Sequence, residues 1–197
     1  MRYVFAGLVA AIAVLVYLAV GGSWNPTASS QKEQAFGEPY GVPFELVDHS
    51  GEPITQEAFR GQPTAIFFGF THCPEVCPTT VYEMNGWFEQ LGDDGADIAA
   101  FFVTVDPERD TPKMLELYLE SQSDRITGIT GDPDKVREMA RGFNVYFRKF
   151  DEDESGYNMD HTASIFLLDS NGAFRKTISY GENPDTALQK LRDLAET

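Results

Sequence analysis

Cysteine is scarce in this chain of 197 residues: there are two, Cys73 and Cys77, and both lie in the stretch "FTHCPEVCPTT" with three residues between them. A chain of this length builds its core without staples, so a disulfide-scaffolded fold is excluded and the pair needs another explanation. Basic side chains are scarce too. Fifteen Lys and Arg stand against thirty-one Asp and Glu, a formal net charge of −16 that repels nucleic acid and anionic headgroups. Nucleic-acid partners are therefore set aside. No segment repeats, and no Gly-rich run has phosphate-loop spacing; "DGADIAA" lacks the glycines of a dinucleotide fold, so a nucleotide cofactor is not expected.

Charge is absent altogether from Tyr3 to Gly22, "YVFAGLVAAIAVLVYLAVGG", twenty residues behind Arg2. That is the length a helix needs to cross a bilayer. A cleaved secretory signal has a shorter apolar core and a small-residue cleavage site, for which "YLAVGGSW" is a poor match. Residues 1–22 are thus expected to form an uncleaved transmembrane anchor. Arg2 on the short side places the N-terminus in the cytoplasm and the rest outside, where disulfides can form. No cysteine lies near the segment, so a lipid-modified N-terminus is not available. Residues 23–39, polar and rich in Ser, Pro and Gly, are expected to be a tether.

The folded domain is expected from residue 40 to 197. "PFELVDHSGEPI" suits a short hairpin; "PTAIFFGF" and "DIAAFFVTV" are dense apolar runs suited to buried strands. Val81, Met84, Trp87, Phe88 and Leu91 recur at helical spacing, and further helices are expected after "DTP", over "GDPDKVREMARGF" and from Pro184 onward. Strands are also expected at "ITGIT", "VYFRKF", "HTASIFLLD" and "FRKTISY", the last two joined as an antiparallel pair by an "NG" turn. Strands alternating with helices imply a layered α/β sheet. The acidic stretch "DEDESGYNMD", residues 151–160, reads as a solvated loop.

The cysteines fall between a buried strand and a helix. Proline disfavours helical geometry in the residue before it, which biases both Cys73 and Cys77 toward extended or turn backbone, and Pro78 fits the first position of a helix. Thiols in a loop at a helix N-terminus are biased toward thiolate, the nucleophilic and metal-binding form. Three uses compete. A permanent disulfide closing so short a loop stabilises by only about 2 kcal/mol. Redox exchange is usually served by C-x-x-C, and the extra residue here does not forbid it. Metal binding by two soft thiolates suits Cu(I), then zinc, and asks for a further ligand.

Three histidines are available. His49 reads as a solvated turn residue, and His72, adjacent to Cys73 in an extended segment, points to the opposite side. His161 remains, expected at a strand end between the acidic loop and "ASIFLLD". "DPERDTP", residues 106–112, reads as a loop with internal charge pairing and a helix start, Asp110 or Thr111 serving as cap.

Together these pieces resemble the Sco/SenC family of membrane-anchored copper chaperones. The resemblance covers roughly residues 40 to 195 and is carried by "FFGFTHCPEVCP", "VDPERDTP" and "MDHTASIFLLD" in that order, behind an N-terminal anchor. It implies a thioredoxin-like fold and copper ligation by Cys73, Cys77 and His161. It further implies a role in maturing the dinuclear copper site of cytochrome c oxidase subunit II, with an upstream copper donor and a thiol reductant as further partners. Asp160, beside His161, is a candidate to orient the imidazole through the ring's other N–H; Asp106 is a second candidate around the site. The alternative function is a thiol–disulfide oxidoreductase acting on cysteines of the oxidase copper site or of another extracytoplasmic protein. A thioredoxin-like peroxidase is disfavoured, because its threonine belongs three residues before the reactive cysteine and Thr71 lies two before Cys73. The expected place is the bacterial inner membrane, with the soluble domain periplasmic. Met159, in the acidic stretch, is a candidate transient soft ligand.

Overall fold

The apolar run at residues 64–69 becomes the centre of the molecule, a strand in which every residue is buried. The computed structural model describes residues 37–152 and 156–197, so the expected anchor at 1–22 and nearly all of the tether lie outside the described residues. Among those described, no helix is long and apolar enough to cross a membrane. In chain order the elements are β1 (Glu45–Asp48), β2 (Pro53–Thr55), β3 (Thr64–Gly69), α1 (Val76–Leu91), β4 (Ala99–Thr104), α2 (Pro112–Glu120), β5 (Ile126–Thr130), α3 (Pro133–Gly142), β6 (Phe147–Glu152), β7 (Gly156–His161), β8 (Ser164–Leu168), β9 (Phe174–Ser179) and α4 (Pro184–Ala195).

Seven strands form one sheet in the order β2-β1-β5-β4-β3-β8-β9, parallel through β5, β4 and β3 and antiparallel on both flanks. The parallel strands are linked through α1 and α2, as crossover connections require. Each of α2, α3 and α4 begins with proline behind a capping side chain, Thr111, Asp132 or Asn183, so their starts coincide with those expected from sequence. The core is dense in aromatic rings: Phe68, Phe143 and Phe166 meet one another at centroid distances of 5.3 to 6.0 Å. Gly69 ends β3 where there is no room for a side chain, since a Cβ there would lie 2.9 Å from Phe67 and 3.0 Å from Phe102.

The structure departs from the sequence reading in three places. Helix α1 starts at Val76, so Cys77 is helical although it precedes Pro78. In the first turn no N–H has a partner within the helix, so proline at its third position breaks no bond. Of the acidic stretch 151–160, residues 151–152 and 156–160 belong to paired strands rather than a loop: β6 and β7 pair from Phe147 opposite His161 to Glu152 opposite Gly156. The stretch "HTASIFLLD" is also not one strand, because His161 closes β7 and β8 begins at Ser164. Between them Thr162 N–H donates to the Tyr146 carbonyl, while Tyr180 N–H donates to the Ala163 carbonyl, so the chain passes from one sheet to the other.

Candidate metal centre

Strand β3 delivers the chain to Phe70, and residues 71–75 turn it into α1. Cys73 N–H donates to the Phe70 carbonyl, which closes the turn. Helix α1 lacks the usual side-chain cap, for Glu75 sits at the capping position and makes no such bond. The Cys73 sulfur takes that role, accepting the Cys77 N–H at 3.3 Å. Cys73 is half-buried, Cys77 fully buried, and both are free thiols.

Their acidities diverge. The Cys77 thiol donates to Cys73, and this bond, opposed by burial and aided by the backbone N–H groups of Cys77 and Glu75, holds the Cys73 pKa down at about 4. The same hydrogen bond, burial and the neighbouring negative charge push the Cys77 thiol far up. The metal-free pair thus holds one shared proton, and Cys73 is the standing thiolate.

His161 arrives from the other side, at the end of β7. Its Nε2 lies 3.4 Å from Cys77 Sγ and its Nδ1 lies 3.1 Å from the Thr162 carbonyl oxygen. A carbonyl can only accept, so in the neutral ring Nδ1 carries the proton and Nε2 turns its lone pair toward the thiols. The ring is wedged edge-on between Phe67 and Phe70, at centroid distances of 6.0 and 5.7 Å. The two sulfurs and an imidazole nitrogen all lie within 4.8 Å of one another. Among the described residues this is the group of His, Cys and carboxylate ligands that could hold a metal ion.

The other candidates fall elsewhere. Asp160 points away from His161, as successive residues of a strand must, and pairs with Arg148 at 2.8 Å; the imidazole is met by the Thr162 carbonyl instead. Asp106 is buried, accepting from the Tyr157 hydroxyl at 2.7 Å and from Arg109 Nε. It supports the hairpin and belongs to no metal-ligand group. His72 reaches Thr71 Oγ1 and Asp110, not the thiols. His49 Nδ1 accepts the Gly128 N–H at 2.8 Å and so joins β1 to β5. Met159 is buried beneath the hairpin and lines a cavity of about 220 Å³ with Val105, Val136 and Phe147.

Sequence reasoning missed Asp110. Thr111 caps α2, while Asp110 turns inward, wholly buried. Its carboxylate accepts from Thr71 N–H at 3.0 Å, Thr71 Oγ1 at 2.6 Å and Thr104 Oγ1 at 2.6 Å, which pins the cysteine turn to β4. The only signal was the position of "DPERDTP" directly behind a buried strand.

The fold and the site together define a thioredoxin-like α/β domain with two thiols and an imidazole gathered at the start of its first helix. A model of the SCO1/SenC family matches residues 32–196, and the chain belongs to that family. The chain is 34% identical over 155 residues to a SCO2-like protein of Rickettsia conorii, covering 78% of this chain and 76% of that one. It is 33% identical to mitochondrial SCO2 of Saccharomyces cerevisiae, covering 78% of this chain and 52% of the yeast protein. Among solved structures, copper-bound ScoI of Bradyrhizobium japonicum is similar with a TM-score of 0.73 at 38% identity, over 79% of this chain and 99% of that one. Copper-bound ScoI of Arabidopsis thaliana gives 0.75 at 29%, over 80% and 98%.

Proposed function

We propose that this chain is a membrane-anchored copper carrier, which binds Cu(I) or Cu(II) through Cys73, Cys77 and His161 and helps to assemble the dinuclear copper site of cytochrome c oxidase subunit II. The observation that carries the reading is the convergence, within 4.8 Å, of two thiols and an imidazole that lies 84 residues beyond Cys77. Two relatives solved with copper bound support it. So does the donor chemistry: two thiolates and one imidazole satisfy three-coordinate Cu(I), and Cu(II) is held if water or another ligand joins.

The residues are prepared for a cation. Cys73 is already thiolate, Nε2 of His161 offers a free lone pair, and the remaining proton on Cys77 leaves as the ion enters. Half-exposed Cys73 keeps one side open for handover by ligand exchange. Copper binds only when both thiols are reduced, and the periplasmic side of the bacterial inner membrane, where the proposal places this domain, tends to oxidise them. An upstream copper donor and a thiol reductant are therefore required partners.

An anaerobic Cu(I) titration of the reduced full-length chain against a competing chelator tests the reading. One tightly bound equivalent is expected, weakened by His161→Ala and by the double change Cys73→Ser, Cys77→Ser. Weak binding indifferent to His161 sinks the copper reading.

A second reading, thiol–disulfide exchange, is favoured by the acidity difference of the pair. The Cys73 thiolate attacks a target disulfide and releases one target thiolate. Cys77, after losing its proton, then attacks Cys73 Sγ, releases the second target thiolate and leaves a Cys73–Cys77 disulfide for an external dithiol to reduce. This route has no need of His161, so retained reductase activity in His161→Ala separates the two.

A further inference from the structure

The hairpin that presents His161 hydrogen-bonds strand to strand only with itself; β6 and β7 form a two-stranded sheet apart from the central seven. Its placement therefore depends on side chains, and several converge on the turn that follows β4. Arg109 lies at their centre. Its Nε donates to Asp106, its Nη1 donates to the Tyr157 carbonyl at 2.9 Å, and its guanidinium carbon lies 3.7 Å from the centre of the Tyr157 ring. The Tyr157 hydroxyl returns to Asp106 at 2.7 Å, while Lys149 stands 3.6 Å from the centre of the same ring and pairs with Glu108. The guanidinium carbon is also 6.0 Å from the centre of the Phe70 ring, which in turn packs against His161.

We propose that Arg109 is a positioning residue for the metal centre: acting through the β6–β7 hairpin, it holds the His161 imidazole against the thiol pair. This rests on the copper reading above. Tyr157, Met159 and His161 share one face of β7, with Asn158 and Asp160 on the other, so a strand pinned at Tyr157 fixes both the register and the tilt of its end. The planar fork is what allows one side chain to bind a carboxylate and a backbone carbonyl while stacking on an aromatic ring. A lysine at 109 retains the charge and loses the fork.

The test combines Arg109→Ala and Arg109→Lys with His161→Ala in the reduced full-length chain. Cu(I) affinity is measured by chelator competition, and hydrogen exchange of the hairpin amides is measured without copper. With His161 present, Arg109→Ala is expected to weaken Cu(I) binding roughly ten- to a hundredfold, as loss of a group orienting a ligand commonly does. Arg109→Lys is expected to recover part of that loss. In the His161→Ala background neither change is expected to weaken binding further. Amides of β6 and β7 should exchange faster in Arg109→Ala while β3 and β4 stay protected.

An equal loss of affinity with and without His161, or no loss at all, overturns the proposal. Should Arg109→Ala not fold, Arg109→Lys and Tyr157→Phe carry the same comparison, with smaller losses that again vanish without His161. If the wild-type chain binds no copper, the copper reading falls, and hydrogen exchange alone decides the latch: unchanged hairpin protection in Arg109→Lys and Tyr157→Phe removes it.

Discussion

A thiol with a pKa near 4 is a thiolate at any pH the cell offers, and Cys73 owes this state to the Cys77 thiol and the N–H groups at the start of α1. Alkylation of Cys73 in the reduced, metal-free protein should accordingly change little between pH 5 and pH 7. An ordinary thiol loses about a hundredfold in rate over the same two units. Site-resolved mass spectrometry after iodoacetamide pulses measures this, and a hundredfold fall at Cys73 contradicts the hydrogen-bonded pair. Asp110 supplies the opposite case. Burial pushes its carboxyl up despite the bonds from Thr104 and Thr71, so the folded protein holds this proton more tightly than the unfolded chain. Its contribution to stability is therefore full at low pH and is lost as pH rises from the ordinary carboxylate range through the raised folded value. Asp110→Asn, which mimics the protonated form, should flatten that part of the stability curve and keep one acceptor oxygen, a threonine hydroxyl turning to accept from the new amide N–H. Asp110→Ala leaves Thr71 N–H and two hydroxyls without their acceptor and should cost about 3 kcal/mol in denaturant unfolding.

At the scale of elements, the site is a junction between a rigid part and an added one. The turn and α1 are anchored in the central sheet, whereas the hairpin is held by side chains, and Met159 is its buried apolar anchor. Met159→Ala should lower stability by roughly 2–3 kcal/mol, toward the low end for a buried methionine because a cavity already adjoins it. Denaturant unfolding measures this, and a loss under 1 kcal/mol would show that Met159 does not anchor the hairpin. The same hairpin marks where the sequence stopped being legible. The central strands were readable from unbroken apolar runs, and α2, α3 and α4 from a cap followed by proline. The pair of thiols behind a buried strand was equally visible. Residues 151–160 were not, since acidic side chains and Gly156 obscure a period-two pattern in which Tyr157, Met159 and His161 face inward and Asn158 and Asp160 do not. The rule for residues preceding proline misled at Cys77, because a helix tolerates proline throughout its first turn. Asp110 escaped because a buried acceptor and an exposed cap have the same local sequence; only the strand beside it, known from the fold, tells them apart.

For the whole molecule, the ligands come from segments far apart in the chain, and this sets what copper does to stability. In the unfolded chain Cys73 and Cys77 remain neighbours and still offer two thiols to Cu(I), so binding by the pair alone favours both states and largely cancels. His161, 84 residues beyond Cys77, joins them only when β3, α1 and the hairpin are assembled. The stabilisation by Cu(I) therefore reports the imidazole's share. With free Cu(I) at a hundred times the dissociation constant the upper bound is about 2.7 kcal/mol, and a domain of this size gains roughly 2–4 °C in Tm per kcal/mol. The reduced wild-type chain should show a rise of several degrees, reversed by a Cu(I) chelator. His161→Ala should show a much smaller one. The chain with Cys73 and Cys77 joined as a disulfide should show none, since neither sulfur then offers a thiolate. Anaerobic thermal scans with circular dichroism give all three curves, and equal shifts for wild type and His161→Ala would mean that copper is held by the thiols alone and that the hairpin takes no part in binding it.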